Sequence, residues 1–349
     1  MRIIAAAGIP AEVSGPWPTL ERMAVTTDAP SAVDLHPDRL EAYRRELTGY
    51  CYRMLGSAAE AEDAVQDTLL RAWQAAARFE GRSSVRSWLY RIATNVCLDM
   101  LRGRSRRARP MDLGPAMPPD ESSLARMLPE HSWVSPIADV RVVPEDGDPA
   151  EIAVARETIR LAFVTALQHL PPRQRAALIL CEVLRWQAAE TADLLGCSTA
   201  AVNSALQRAR ATLATVQGGS AAPARDPEGE LLARYVDAFE RYDIDALVAL
   251  LARDAVQSMP PFAMWLRGSA DIRTWMLGPG AECAGSRLLP VAANGAAAYA
   301  QYRADPAGGH TAWALQFLET RDGQIVEISS FLEVADLFGS FGLPLHLPA

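Results

Sequence analysis

The sequence contains no lysine, because all 34 basic residues are arginine. Its five cysteines are odd in number, scattered and never spaced as CxxC, which argues against a disulfide framework and a zinc site and favours a reducing compartment. No apolar run approaches the ~20 residues of a membrane span, and residues 1–8 are too short, and too soon interrupted by Pro10, for a signal peptide. We therefore expect a cytoplasmic protein that does not bind a membrane, and we expect it to bind no metal and no cofactor.

The formal net charge of −8 is unevenly divided along the chain. Residues 36–109 carry 14 arginines against 9 acidic residues, a net +5, and residues 151–213 carry 7 against 5, a net +2. Residues 110–150 carry 2 against 8, a net −6, and residues 228–349 carry 8 against 15, a net −7. Two segments are thus basic enough to meet nucleic-acid phosphates, whereas the acidity belongs to the segment between them and to the C-terminal third.

Composition and periodicity predict a chain of several domains. We expect a disordered leader at 1–35, in which Met23 could be the true start, helical domains at 36–109 and 151–216, an acidic proline-rich linker at 110–150, a second linker at 217–229 and an α+β domain at 230–349. In the first domain, helices are predicted over 38–74, with a break at Gly56–Ser57, and from Val85 to about Leu101, with Ser84 as its cap. In the last domain, Asp322–Gly323 between two alternating apolar runs predicts a hairpin.

Residues 194–213 predict a recognition helix. At helical spacing, an apolar arc of about 60° contains Val202, Leu206, Ala209 and Leu213. A helix over Trp186–Leu195 and a corner at Gly196 precede it, which together predict a helix-turn-helix whose second helix enters a major groove. Asn, Gln and Arg side chains pair with base edges, so we expect base readers at Asn203, Gln207 and Arg208, and phosphate contacts at Arg210, Arg173 and Arg175. An ordinary surface helix is the alternative.

Residues 81–109 combine a serine-rich loop with interleaved aromatic and basic side chains. The predicted helix carries Arg86, Trp88, Tyr90, Arg91 and Asn95, and a basic tail follows with Arg102, Arg104, Arg106, Arg107 and Arg109. Ring faces stack on unpaired bases while guanidinium groups follow the backbone, so the pattern favours contact with single-stranded nucleic acid. Alternatively, Trp88 and Tyr90 belong to the core of a helical bundle and the tail is solvated.

Three stretches resemble the two domains of bacterial sigma factors of the extracytoplasmic-function (ECF) group of the sigma-70 family. They are CYRMLGSAAEAEDAVQDTLLRAW, FEGRSSVRSWLYRIATNVCLD and LQHLPPRQRAALILCEVLRWQAAETADLLGCSTAAVNSALQRARATL. The resemblance implies binding to the clamp and flap of core RNA polymerase, −35 recognition by the helix-turn-helix, and melting and reading of the −10 element by the first domain. The acidic linker is similar in place to the segment that threads toward the RNA exit channel.

The same resemblance implies three sets of site residues. Polymerase contacts are expected at Asp63, Gln66, Asp67, Leu70 and Trp73. Contacts with the −10 element are implied at Arg82, Ser83, Ser84 and Arg86, and the aromatic and basic pattern of the following helix adds Trp88, Arg91 and Asn95. Readers of the −35 element are implied at Asn203, Ser204, Gln207 and Arg208, beside the phosphate contact that the residue pattern predicts at Arg210. Thr191 departs from the family pattern, where an aliphatic residue is more usual, and could soften the packing of the helix-turn-helix.

The stretch from Leu231 to Met276 resembles the opening of SnoaL-like domains, cones of the nuclear-transport-factor-2 fold. Some ECF sigma factors carry such a domain and close on FGLP, as Phe341–Pro344 does here. The resemblance implies that the extra domain regulates the sigma domains by contact in cis, and that no conventional anti-sigma factor is required. Met259, Phe262, Trp265 and Trp275 could line a ligand pocket or simply fill the core.

We therefore predict a multidomain protein with two all-α domains, a region 2 bundle and a region 4 helix-turn-helix, plus a C-terminal α+β cone. The predicted function is that of an alternative sigma factor and not of an enzyme. A competing class is a SnoaL-like enzyme or ligand sensor fused to a DNA-binding module, with Asp254, Asp271 or His310 as acid or base. A third class is a helix-turn-helix repressor that binds duplex DNA without polymerase.

Overall fold

The computed structural model describes residues 36–216, 228–332 and 334–349. The leader predicted at 1–35 and most of the linker predicted at 217–229 lie outside the described residues. The described chain forms two compact units. Unit 1 contains the described residues up to Leu55, Ala59–Arg104 and the described residues from Leu170 to 216, and unit 2 contains the rest.

Unit 1 begins with a helical bundle. Its helices are α1 (Pro37–Glu41), α2 (Arg44–Leu55), α3 (Ala58–Ala75) and α4 (Val85–Met100). Ser84 caps α4 as predicted, since its Oγ accepts the Ser87 N–H at 3.0 Å. Tyr50 of α2 and Tyr90 of α4 are fully buried, with ring centroids 5.1 Å apart. Of the two roles considered for Tyr90, the structure supports the one in the core.

The second half of unit 1 is the predicted helix-turn-helix with the helix before it. Its elements are α7 (Pro172–Leu178), a π-helical turn (Ile179–Val183), α8 (Ala188–Leu195) and α9 (Thr199–Val216). Gly196 ends α8 at a φ of 62°, in the left-handed region that favours glycine. The Ser198 hydroxyl then accepts the Ala201 N–H at 3.2 Å, which begins α9.

Residues 105–169, called the connecting segment below, belong to unit 2. They contain four short 3-10 helices (Pro110–Asp112, Glu121–Leu124, Glu130–Ser132 and Asp139–Arg141), followed by α5 (Pro149–Glu157) and α6 (Leu161–Gln168). The segment nevertheless buries Trp133, Val134 and Ile137, each at most 3% exposed. Rich in proline, it has no sheet or long helix of its own, and it folds against the C-terminal domain.

The C-terminal domain (residues 228–349) is the predicted α+β fold. Its elements are α10 (Glu228–Glu240), α11 (Ile244–Ala249), β1 (Leu251–Ser258), β2 (Trp265–Arg267), α12 (Ser269–Leu277), a 3-10 turn (Pro279–Cys283), β3 (Arg287–Ala293), β4 (Ala296–Ala304), β5 (His310–Arg321), β6 (Gln324–Phe331), α13 (Val334–Ser340) and β7 (His346–Leu347). The sheet order is β2-β1-β6-β5-β4-β3, with β7 on β5. Only the β1–β6 pair among these pairings is parallel.

The predicted hairpin is present between β5 and β6. Asp322 and Gly323 have φ angles of 52° and 75°, the positive values that a two-residue hairpin turn with the native strand twist requires.

The sheet buries both of its faces. The first face packs on α10, α11 and α12 around Tyr235, Phe239, Leu247 and Trp275. The second face packs on α13 around Phe338, with Leu161 of α6 against the same cluster. The connecting segment therefore covers part of the second face.

The absences noted in the sequence have two structural counterparts. All five cysteines are free thiols. Among the described residues, no helix combines the length and the apolar content needed to cross a bilayer.

Candidate nucleic-acid and polymerase interface

Helix α9 has the two faces that its sequence predicts. Val202, Leu206, Ala209 and Leu213 are at most 6% exposed. The four expected −35 readers are all exposed: Asn203, Ser204, Gln207 and Arg208. The turn at Gly196 leaves this face open in unit 1, so its donors and acceptors are available to base edges.

Arg210, on the same helix, has a partner within region 4. Its guanidinium donates to the carboxylate of Glu182, whose side chain is only 8% exposed. Burial is the strongest single influence and raises the pKa of Glu182, but several opposing interactions, among them the hydrogen bond and the positive charge of Arg210, together leave that pKa below its ordinary value. Arg210 thus joins α9 to the π-helical turn, and a phosphate contact would have to share its guanidinium with Glu182.

The phosphate contact predicted for Arg175 is wrong. This side chain is 3% exposed, and its guanidinium donates to the main-chain carbonyls of Met54 and of Leu170, the latter at 3.1 Å. Burial lowers the pKa of Arg175 to about 10. The fixed fork of arginine satisfies two carbonyls that no helix partner reaches. Arg173, two residues earlier, is exposed as predicted.

Thr191, the departure from the family pattern, is accommodated in the core of region 4. It is fully buried, and its hydroxyl lies 3.2 Å from the Cys181 Sγ. The hydroxyl therefore has a hydrogen-bond partner at a position where an aliphatic side chain would have none.

The loop before α4 exposes Arg82, whose Nε lies 2.9 Å from the Glu80 carboxylate, and leaves Ser83 half-buried. Ser84 uses its hydroxyl as the cap of α4. Trp88 is half-buried against Phe79, with ring centroids 4.9 Å apart, and Asn95 is exposed. Of the expected −10 contacts, Arg82, Ser84, Arg91 and Asn95 are therefore exposed.

Arg86 and Arg91 of α4 contact region 4 inside unit 1. The Arg91 Nη2 lies 2.5 Å from the Asp193 carboxylate of α8. The Arg86 guanidinium bonds to Glu46 at 2.8 Å and lies over the Trp186 ring, 5.7 Å from its centroid. Two expected −10 readers are thus engaged by region 4 in this conformation, which sequence reasoning did not foresee.

Helix α3 presents the mixed acidic and apolar face expected of a polymerase contact. Asp63 and Gln66 are exposed, and Asp67 is half-buried in an ion pair with Arg71 at 2.8 Å. Leu70 and Trp73 are 48% and 54% exposed, which is unusual for large apolar side chains on one helix.

The basic tail divides between the two units. Arg102 and Arg104 pair with Asp99 and Glu60 in unit 1. Arg107 is 6% exposed and donates to the Glu130 and Trp133 carbonyls at 3.0 and 2.7 Å. Arg106 is exposed, so the basic tail predicted on nucleic acid or in solvent is wrong from Arg107 onward. Sequence reasoning missed it because a run of arginines does not reveal its acceptors.

The aromatic candidates of the C-terminal domain are largely packed. Trp275 lies in the core cluster, and Met259 and Phe262 pack against it. Trp265 is 4% exposed, and its indole N–H donates to the Gly114 carbonyl at 3.0 Å. A cavity of about 20 Å³, room for about one water, lies elsewhere, and Arg109, Thr165, Ser258, Glu327 and Ser329 are among its lining residues. This cavity is far smaller than the several hundred Å³ of a substrate pocket.

The three acid–base candidates lie on separate elements. Asp254 is on β1, Asp271 is in α12, and His310 begins β5, where its Nε2 lies 3.2 Å from the Gly285 carbonyl oxygen.

A row of buried, hydrogen-bonded polar side chains that sequence reasoning missed runs through the same domain. The Tyr235 hydroxyl donates to Gln316 at 3.0 Å, and Gln316 donates to Gln301 at 2.7 Å. These side chains satisfy one another, which accounts for polar groups at positions that alternate with the apolar core.

Family comparisons match all three folded parts of the chain. Residues 40–107 match Sigma-70 region 2, residues 160–213 match Sigma-70 region 4, and residues 232–328 match the SnoaL-like domain. The region 4 match includes α6, which lies in unit 2.

Two relatives from Mycobacterium tuberculosis are similar over two thirds or more of the chain. The ECF RNA polymerase sigma factor SigG is 47% identical over 87% of this chain and 82% of its own length. SigJ is 30% identical over 68% of this chain and 71% of its own length. The crystal structure of SigJ superposes with a TM-score of 0.60 at 23% identity, covering 88% of this chain and 99% of that one, so the two share a fold. The chain belongs to the ECF RNA polymerase sigma factors, in the group whose members carry a C-terminal SnoaL-like domain.

Proposed function

We propose that this alternative sigma factor binds core RNA polymerase, directs it to promoters through −35 and −10 contacts, and is regulated in cis by its SnoaL-like domain. The observation that supports the proposal is that this family member has two helix faces exposed to solvent. One is the exposed Asn, Gln and Arg face of α9 above a buried apolar arc. The other is the exposed Leu70–Trp73 ridge of α3.

Base reading at the −35 element is assigned to α9. Asn203 and Gln207 have the donor and acceptor pair that matches adenine, and Arg208 has the fork that matches guanine. Ser204 lies on the same exposed face, where its short side chain can hydrogen-bond to a base edge. Arg173 is assigned a phosphate contact. Arg210 is assigned a phosphate contact that it shares with Glu182.

Capture of the −10 element is assigned to the loop before α4 and to α4 itself. Arg82, Ser83 and Ser84 form the loop, and Arg86, Trp88, Arg91 and Asn95 follow on the helix. Unpaired bases would stack on the ring and the guanidinium planes. Arg86 and Arg91 reach DNA only after their contacts with Trp186 and Asp193 are given up.

Polymerase binding is assigned to α3 for the clamp and to region 4 for the flap. Leu70 and Trp73 would bury their apolar surface, while Asp63, Gln66 and Asp67 would meet basic or polar groups. The action is thus binding and strand separation in the cytoplasm, with catalysis left to the polymerase. The proposed domain limits remain those of the sequence analysis, and the dispensability of an anti-sigma factor remains a prediction.

Run-off transcription with purified core polymerase tests this function. The full chain should give promoter-specific transcripts that core enzyme alone does not, and a chain ending near Gly219 should give an altered yield. Equal yields from both chains would count against a regulatory C-terminal domain. Failure of both chains to associate with core polymerase at modest ionic strength would overturn the proposal.

A gel shift distinguishes the repressor alternative. A free sigma factor of this design should bind duplex promoter DNA poorly without core enzyme, because its −10 residues require separated strands. Tight binding without polymerase would favour a repressor.

The enzyme alternative predicts that the protein turns over a small hydrophobic substrate and that Asp254→Asn or Asp271→Asn abolishes this turnover.

A further inference from the structure

The β3–β4 turn of the C-terminal domain is built into the connecting segment. Asn294 is fully buried at a φ of 51°. Its Oδ1 accepts the Ile137 N–H at 2.8 Å, and its Nδ2 donates to the Ile159 carbonyl at 2.7 Å. One side chain thus holds two parts of the segment that are far apart in sequence.

The next residue shows how close this approach is. The Gly295 N–H donates to the Asp139 carboxylate at 2.8 Å. A Cβ at Gly295 would lie 2.5 Å from the carbonyl oxygen of Arg156, a contact that real side chains do not make. The connecting segment and the turn therefore fit together only with glycine at this position.

Charged pairs join the segment to the second face of the sheet. Glu319 of β5 and Glu327 of β6 lie directly opposite each other, an arrangement in which two carboxylates repel. Arg160 of the segment pairs with Glu319, and Arg109 lies 3.3 Å from Glu327. The segment supplies the countercharge that this face needs.

Main-chain hydrogen bonds join the segment to the β1–β2 region as well. The Ala263 N–H donates to Arg126 at 2.9 Å, and the Leu128 N–H donates to Pro261 at 3.0 Å. The Met117 N–H donates to Trp265 at 2.9 Å. The turn, the ion pairs and these bonds together form the surface on which the segment docks.

The two ends of the docked segment lie together, because the Arg106 guanidinium contacts the His169 ring. The region 2 part of unit 1 ends at Arg104 and its region 4 part resumes at Leu170, so both parts leave the segment from nearly one point. Domains of this size are about 30 Å across, so their far faces would reach about 60 Å apart at most. Promoter elements about 25 base pairs apart are separated by about 85 Å at 3.4 Å per pair.

We propose that the SnoaL-like domain is a docking surface for the connecting segment, and that core polymerase must draw the segment off this surface before regions 2 and 4 occupy both promoter elements. The inference rests on the proposed function, since it takes simultaneous −35 and −10 contact as given. The partner of the surface is thus a specific part of the same chain, and polymerase competes for it.

Hydrogen exchange of the full chain tests the proposal without any substitution. In the free protein, the amides of Ile137, Asn294, Gly295 and Ala263 should be protected, because each bonds across the surface. In a promoter complex that makes transcripts, their exchange should rise at least tenfold, while the β4–β5 ladder stays protected. Undiminished protection in a transcribing complex would overturn this inference and leave the proposed function intact.

A matched pair of glycine variants tests the same surface. Gly295→Ala and Gly323→Ala both place alanine in the left-handed region of a hairpin turn, at φ 58° and 75°. Only the first meets the segment, since nothing lies within 4 Å of a Cβ at Gly323. At limiting core polymerase, Gly295→Ala should raise Ile137 exchange in the free chain about tenfold and yield more transcript than Gly323→Ala. Equal transcript yields despite raised exchange would contradict the proposal.

Discussion

At the scale of single residues, arginine has two different roles in this chain. Both roles use the planar set of N–H donors of the guanidinium group. Arg208 is exposed on the recognition helix, whereas Arg175 and Arg107 are buried and each donates to two main-chain carbonyls. Lysine, a single rotatable ammonium on a flexible stem, does not bridge two fixed carbonyls in this way. Burial and acceptors, more than residue type, therefore decide which arginines are free for DNA.

Substitution of Arg208 probes base reading. Arg208→Ala should cost about 1–3 kcal/mol of binding free energy at one −35 position and should relax the base preference there. Holoenzyme binding to promoters with each base at each −35 position measures this. An equal loss on all sequences would show that Arg208 contacts phosphate and not a base edge.

Arg175 and Arg173 form a matched pair on α7, one buried and one exposed. Arg175→Ala leaves the Met54 and Leu170 carbonyls without their donor, which should lower the free energy of unfolding of unit 1 by about 1–3 kcal/mol per carbonyl. Arg173→Ala should change it by less than about 0.5 kcal/mol but weaken promoter binding in a salt-dependent way. Urea unfolding and binding titrations separate the two effects, and equal destabilisation by both variants would contradict the assignment.

At the scale of elements, α4 and α8 hold each other through polar side chains. The Arg91–Asp193 pair and the tilted contact of the Trp186 ring with the Tyr90 ring, with centroids 5.2 Å apart, bring a −10 helix against region 4. Exposed ion pairs contribute at most about 1 kcal/mol, so this contact is weak enough to open on binding. The same arginines therefore have two alternative partners, region 4 and DNA.

Asp193→Asn tests this exchange of partners without changing a proposed DNA contact. Removing the carboxylate should free Arg91 and strengthen binding of a single-stranded −10 oligonucleotide by up to about fivefold. Asp99→Asn is the control, because it removes a carboxylate that pairs with Arg102 within α4 and its C-terminal end. Fluorescence anisotropy measures both, and unchanged affinity in Asp193→Asn would show that the contact does not compete with DNA.

At the scale of the whole molecule, each compact unit is built from stretches that are not consecutive in the sequence. The connecting segment lies between regions 2 and 4 in the chain but folds with the C-terminal domain. Hydrogen bonds and ion pairs hold it to the sheet, as between Ile137 and Asn294 and between Arg109 and Glu327. Deletion of the C-terminal domain therefore changes two things at once, because it also removes the surface on which the segment folds.

The free energy of unfolding of unit 2 should depend on pH, because several carboxyl groups at the docking surface have shifted pKa values. Burial raises the pKa of Glu319, although Arg160 opposes the rise, and burial likewise raises the pKa of Glu157 and of Asp139. A raised folded-state pKa gives stability that is present at low pH and lost as the pH rises through that value.

Glu319→Gln isolates one of these carboxyls. Wild type should gain unfolding free energy relative to Glu319→Gln as the pH is lowered from 7 to 5, because the variant has no carboxyl to protonate there. Urea unfolding at several pH values measures the difference. A difference that stays constant with pH would refute the linkage to Glu319.

The sequence by itself determined the local structure of this protein. Apolar spacing on α9, the caps at Ser84 and Ser198, the left-handed Gly196 and the Asp322–Gly323 turn each depend on neighbours within a few residues, so their signals are complete in the sequence. The resemblance to sigma factors rests on three continuous stretches of the same sequence and was confirmed by the relatives.

Only the tertiary structure decided what the polar side chains pair with and where the connecting segment lies. Arg109 meets Glu327, Arg91 meets Asp193, and Asn294 holds Ile137 across more than a hundred residues of chain. Such contacts depend on which surfaces the folded domains bring together, and periodicity and composition carry no record of that. For the same reason the acidic, proline-rich stretch was predicted as a linker, and its docking on the sheet became visible only in three dimensions.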